Sequence, residues 1–166
     1  SQKQQGRLSA VERKNQGSDV YSMLVVDIKR AHFYAKALRR RFVQLPPEDP
    51  RHGDPGICGE LLQSLYGTRD ASANWEAEYT RTMLGGGFQK GSASSCHFFH
   101  DGWDVRVLVH GDDVVAVGPR AGLKKCKELI ASKYECKSDM IGPDPDQEKD
   151  LRVLGRMISF TEHGLR

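Results

Sequence analysis

Long hydrophobic runs are missing from this sequence. No apolar stretch approaches the ~20 residues that a helix needs to cross a bilayer, so a helical membrane span is excluded. The opening stretch, SQKQQGRLSAVERKNQGSD, has neither an initiating Met nor an apolar core, and no secretory signal is expected there. Paired cysteines are missing as well: Cys58, Cys96, Cys126 and Cys136 are widely spaced, with no Cys-x-x-Cys. A chain of this size can bury a core without disulfides, so reduced thiols inside a cell are expected. Cys96-His97-x-x-His100 contains zinc-ligand types, but a strand would send them to alternating faces and keep them from converging. No Gly-Lys-Ser/Thr follows the glycines Gly85, Gly86 and Gly87, which excludes a phosphate-binding loop and leaves a helix stop. Acids are missing from Ile28 to Leu45, where six basic residues occur: Lys29, Arg30, Lys36, Arg39, Arg40 and Arg41.

What is present describes one soluble globular domain. The 166 residues are 38% hydrophobic and 28% charged, and the formal charge is only +3. From Asp139 to Asp150 the local balance reverses, with five acids against one Lys. A basic run beside an acidic site suits a polyanionic partner bridged by metal, and it equally suits a solvated face. From the start on Ser1 and the abrupt end at Arg166, a segment excised from a longer chain is expected. Residues 1–18 are polar and weakly patterned, and a frayed lead-in is expected there. The run YSMLVVD ending on Asp27 is a buried strand, whereas Pro46 to Gly56 is too rich in Pro and Gly for regular structure.

A helix is predicted next, with Ser72 as N-cap and Trp75, Tyr79 and Met83 on one face. Two hairpins follow. One turns at Asp101-Gly102 between Cys96–His100 and VRVLVH, and the other at Gly111-Asp112 into DVVAVG. A second helix is predicted after Gly122, with Leu123, Cys126, Ile130 and Tyr134 on one stripe, and then a strand from Leu151 to Phe160. This order predicts an α+β fold with helices on one face of an antiparallel sheet.

The stretch VLVHGDDVVAVG carries the chemistry. Gly111 permits the positive φ of a tight turn and Asp112 tolerates its second position. Asp112 and Asp113 are then two like charges on a backbone fixed by sheet hydrogen bonds, and a divalent cation relieves their repulsion. Asp27, at the end of an apolar strand, either caps that strand or supplies a third carboxylate. Three acids can hold two metal ions, an arrangement suited to nucleotidyl transfer.

Five segments in order resemble copia-type retrotransposon reverse transcriptases. LVVDIKRAHFYAKALRRRFVQLPPED is similar to the first acidic motif, including the spacing from the Asp to the paired prolines. SLYGTRDASANW resembles SLYGLKQAPRQW, and LGGGFQKGSASSCHFF resembles the LGF…PC-hydrophobic stretch. VLVHGDDVVAVG falls where that family carries YVDD, and LRVLGRMIS resembles FLGIEI. The likeness runs from about Val20 to Arg166.

The resemblance implies a polymerase palm over residues 19–166, with partial fingers and no thumb. It implies Asp27, Asp112 and Asp113 as catalytic metal ligands, assisted by the Ile28 carbonyl and holding two Mg²⁺ or Mn²⁺ ions. A primer 3′-hydroxyl would attack the α-phosphate of a deoxynucleoside triphosphate, and pyrophosphate would leave. His32 and Phe33 fall near the position that discriminates the sugar, with Phe33 turned away if the chain is extended. Arg69, Asp70 and Ala71 fall at the nucleotide pocket, where Arg69 would offset the acid. Lys29, Arg30, Arg39, Arg40, Arg41 and His110 are the candidates for nucleic-acid contact, and Tyr66 and Trp75 are expected as core aromatics with a template-facing edge.

The implied partners are an RNA or DNA template-primer, deoxynucleoside triphosphates and other segments of a Pol polyprotein, with no membrane. The implied setting is intracellular, in a cytoplasmic virus-like particle. Two alternatives are an inactive palm-fold remnant and a two-metal nuclease or nucleotide cyclase. The SLYG segment and the paired prolines disfavour the latter.

Overall fold

A computed structural model describes residues 20–166 of the chain. The lead-in expected over residues 1–18 lies outside the described residues. The main sheet has six strands in the order β4-β5-β6-β7-β1-β8, all antiparallel. They are β1 (Ser22–Ile28), β4 (Gln89–Lys90), β5 (His97–His100), β6 (Val105–His110), β7 (Asp113–Gly118) and β8 (Cys136–Ile141). A two-residue pair, β2 (Phe42–Val43) with β3 (Gly59–Glu60), lies in the long connection after β1. A three-stranded sheet of β9 (Asp150–Val153), β10 (Arg156–Thr161) and β11 (Gly164–Leu165) closes the described residues.

Two helices, α1 (Ala71–Gly85) and α2 (Arg120–Ala131), cover one face of the main sheet. Leu24, Val26 and Ile28 alternate with more open residues along β1, and Val114 and Ala116 do the same on β7. Those residues meet Trp75, Tyr79 and Met83 of α1 and Leu123, Cys126 and Ile130 of α2 in one core. The period of two in the strands thus meets the 3.6 period of the helices, as the sequence predicts. Gly122 lies inside α2, where a Cβ would stand 2.3 Å from the Trp103 carbonyl oxygen, so only glycine lets the helix approach the β5–β6 loop this closely. The α+β class with helices on one face of an antiparallel sheet is therefore present. No helix among the described residues is long and apolar enough to cross a membrane.

Several expected boundaries move. Asp70, not Ser72, precedes the first helix, and its side chain makes no cap. Gly87 at φ 87° ends that helix, and Phe88 N–H donates back to the Met83 carbonyl at 3.1 Å. Asp101–Asp104 forms a four-residue loop whose left-handed residue is Asp104, so Asp101-Gly102 is not a two-residue turn. The second helix begins at Arg120, before Gly122. Leu151–Phe160 is two strands rather than one, because Leu154 and Gly155, at φ 48° and 80°, form a tight reversal between β9 and β10. Strand β8 has no counterpart in the sequence reading. Its residues CKSDMI alternate between half-buried and exposed, an edge pattern without an apolar run.

Candidate active site: acids at a hairpin tip

The β6–β7 turn is two residues long, with His110 opposite Asp113 as the closing pair. Gly111 has φ 60° and Asp112 is not among the positive-φ residues, the signature of a primed hairpin turn led by glycine. Asp113 is paired in register with Asp27 on β1, and the two flanking pairs inward are Val26 with Val114 and Val25 with Val115. Directly opposed residues of an antiparallel pair point to the same face. Asp27 and Asp113 therefore share the face opposite the helices, while Val26 and Val114 enter the core. The Ile28 amide donates to the Asp112 carbonyl at 2.9 Å, which brings the end of β1 to the tip. Asp27, Ile28, Asp112 and Asp113, distant in sequence, thus meet at one end of the sheet.

Burial raises the Asp113 carboxyl above its ordinary range, and the charges of Asp27 and Asp112 raise it further against a smaller opposing effect of His110. That is the uncompensated negative charge a hard divalent cation would relieve, and the oxygen donors match such an ion. The residues present therefore fit Mg²⁺ or Mn²⁺ in donor type. They do not converge as a preformed cage: no group of three or more His, Cys, Asp or Glu side chains among the described residues stands ready to hold a metal ion. Asp112 is instead engaged by its surroundings. The Tyr66 phenol donates to its Oδ2 at 2.9 Å, and His32 Nδ1 stands 3.7 Å from its Oδ1.

Tyr66 and Trp75, expected together as core aromatics, have different places. Trp75 is buried, and its indole N–H donates to the Gly111 carbonyl at 2.8 Å. Tyr66 is 43% exposed and lies at the acidic cluster. Burial and the hydrogen bond to Asp112 raise its phenol pKa, against the backbone of His32 and Ala31. The segment Ala31–Tyr34 is a short 3₁₀ turn, not an extended chain. Consequently His32 and Phe33 both approach the Tyr66 ring, at centroid distances of 4.3 and 5.9 Å, and Phe33 does not turn away. Sequence reading missed this grouping because ring contacts across more than thirty positions leave no periodic trace. The SLYG segment was its only pointer.

The remaining candidates separate. Arg69 is exposed and does not pair with Asp70; Arg41 does, Nη2 to Oδ1 at 2.8 Å. Burial pushes the Asp70 carboxyl up, but the Arg41 hydrogen bond and the charges of Arg41 and Arg39 outweigh it, and the net shift is downward. Ala71 is buried at the start of α1. Within the basic set, Lys29 pairs with Glu135 at 2.5 Å and Arg40 with Glu60 at 2.7 Å. Arg30, Arg39 and His110 are exposed, and neither Arg30 nor Arg39 makes an ion pair among the described residues. Lys137, absent from the sequence reading, is paired in register with Asp27 from the β8 side and so shares its face.

Comparison with protein-family models, with curated proteins and with solved structures found no match.

Proposed function

We propose that this chain is the palm, with part of the fingers, of a copia-like reverse transcriptase that adds deoxynucleotides to a primer 3′-hydroxyl on an RNA or DNA template. The observation that carries the reading is the in-register pairing of Asp27 with Asp113, beside Asp112 at a glycine-led hairpin tip and on the face the helices leave open. Three carboxylates brought together from separate strands on rigid backbone suit a reaction in which positioning and charge neutralisation carry the rate. Asp27, Asp112, Asp113 and the Ile28 carbonyl would hold Mg²⁺ or Mn²⁺, which supplies charge neutralisation for phosphoryl transfer.

The chain's own contributions are positional. Trp75 fixes the hairpin backbone, and Arg41 neutralises Asp70 so that this acid does not repel a triphosphate. Arg30 and Arg39, which make no ion pair among the described residues, would be cations for a polyanionic strand. His32, Phe33 and Tyr66 form the aromatic wall beside Asp112 where a nucleotide would enter. Other segments of a Pol polyprotein would be its partners, and a cytoplasmic virus-like particle its setting.

A specific observation favours a second reading, a palm-fold remnant without catalysis. Asp112 already faces Tyr66 and His32, and Lys29, Arg40 and Arg41 are already paired with local carboxylates. Primer extension on homopolymer and heteropolymer templates, with Mg²⁺ or Mn²⁺, separates the two. Metal-dependent incorporation supports the polymerase; a folded chain that incorporates nothing with either ion supports the remnant.

A further inference from the structure

We infer that Tyr66 is a positioning residue of the acidic cluster, one that orients the Asp112 carboxylate for a divalent cation through its phenol hydrogen bond. The inference rests on the reading of Asp27, Asp112 and Asp113 as the metal site. It concerns how one of those ligands is held.

The contact spans 46 positions in sequence and ends on a side chain at the hairpin tip. Burial does not dictate it, because the Tyr66 ring is 43% exposed. What places the ring is the chain around it. Ser64 is buried: its N–H donates to the Ala35 carbonyl at 2.8 Å, and its Oγ accepts from Asn74 Nδ2 at 2.9 Å. Gly67, at φ 83°, then turns the chain toward α1. Between these two constraints the Tyr66 ring stands against His32 at 4.3 Å and Phe33 at 5.9 Å, leaving its hydroxyl over Asp112.

Among the described residues, the second oxygen of Asp112 has no comparable partner. His32 Nδ1 is 3.7 Å from Oδ1, beyond hydrogen-bond reach, and that nitrogen is buried with no hydrogen bond. Among the described residues the phenol is therefore the side-chain donor that sets the carboxylate's rotation. A neutral donor on Oδ2 leaves the full negative charge and further lone pairs for a cation, the role that partners of metal-ligating carboxylates commonly play. The same SLYG-to-Trp segment thus grips the tip twice, the Tyr66 phenol donating to the Asp112 side chain and the Trp75 indole to the Gly111 backbone carbonyl.

The test is Mn²⁺ binding, followed by electron paramagnetic resonance of the free ion, on the whole chain without nucleotide. Tyr66→Phe keeps the ring contacts and removes the donor, so the expected result is a Kd raised roughly 10-fold with thermal unfolding in the absence of metal little changed. Asp113→Asn is the reference variant and should abolish the same binding. If Tyr66→Phe binds Mn²⁺ as the wild type does while Asp113→Asn does not, the role of Tyr66 is overturned and the metal site stands. Tighter binding by Tyr66→Phe also overturns it, because the phenol would then compete with the ion. If Asp113→Asn binds as the wild type does, or the wild type binds no Mn²⁺, the site reading falls and this inference falls with it.

Discussion

The indole N–H of Trp75 donates to the carbonyl of Gly111 at 2.8 Å, tying the buried face of α1 to the tip of the β6–β7 hairpin. The bond satisfies an acceptor that the two-residue turn leaves without a ladder partner, and it ties a core residue to the acidic cluster. Trp75 also stands edge-on to Tyr79 and Tyr134, at 5.5 and 5.2 Å, so its own position is fixed by aromatic packing. Trp75→Ala should cost about 3–5 kcal/mol of folding stability in urea denaturation. Trp75→Phe retains most of the burial but removes the hydrogen bond to the exposed Gly111, and it should cost about 0.5–1.5 kcal/mol. A Trp75→Phe protein as stable as the wild type would show that the bond has no structural weight.

Two glycines should fail for different reasons. Gly111 has open space around a would-be Cβ, so Gly111→Ala is opposed by backbone conformation alone, at about 1–3 kcal/mol. Gly122 has no unusual φ, but its Cβ would meet the Trp103 carbonyl at 2.3 Å and Val105 Cγ2 at 2.8 Å. Gly122→Ala should therefore force α2 off the sheet and destabilise by about 1–3 kcal/mol or more. Denaturation of both variants checks this. Amide exchange should show loosening at the hairpin tip in the first and along α2 in the second.

Asp113 is held against its own preference. Burial and the charges of Asp27 and Asp112 raise its carboxyl, so the folded state binds its proton more tightly than the unfolded chain does. Stability from this group is present at low pH and is lost as pH rises through the carboxylate range toward the raised value. At neutral pH, without metal, Asp113→Asn should therefore be more stable than the wild type, by about 0.5–1 kcal/mol, while losing any metal-dependent activity. Thermal unfolding in chelator measures it; a variant less stable than the wild type would contradict the electrostatic account.

The Arg41–Asp70 pair has the opposite sign. The Asp70 carboxyl lies below its ordinary range, because the hydrogen bond and charge of Arg41 outweigh burial. Its stabilising contribution is present above the ordinary carboxylate range and is lost as pH falls through the depressed value. Asp70→Asn should lower stability at pH 7 and flatten the loss of stability below pH ~4. Unfolding midpoints measured between pH 7 and pH 3 for both proteins test it.

How much of this was legible in the sequence follows from which forces leave a local pattern. Strand β1, strand β7 and the buried stripe of α1 were readable because Leu24-Val26-Ile28, Val114-Ala116 and Trp75-Tyr79-Met83 repeat at the periods of strand and helix. The Gly111-Asp112 turn was readable because glycine alone tolerates its first position easily. The β9–β10 reversal was not, since Leu154 is a non-glycine residue at φ 48° and carries no turn signal. Nor was β8, whose edge position needs no apolar run. Within the site, Asp27 was legible as a third carboxylate because it ends an apolar strand, but its in-register pairing with Asp113 was not. The partners Tyr66 for Asp112 and Arg41 for Asp70 come from tertiary approach of segments 46 and 29 positions apart, which no local spacing encodes.

The measurement that bears most directly on the central claim is primer extension by the chain, titrated with Mg²⁺ and Mn²⁺ and compared with Asp27→Asn, Asp112→Asn and Asp113→Asn. The polymerase reading predicts metal-dependent incorporation by the wild type and a loss of about 10³-fold or more in each variant, equivalent to ~4 kcal/mol of transition-state stabilisation. Incorporation by Asp113→Asn at a rate near that of the wild type would contradict it.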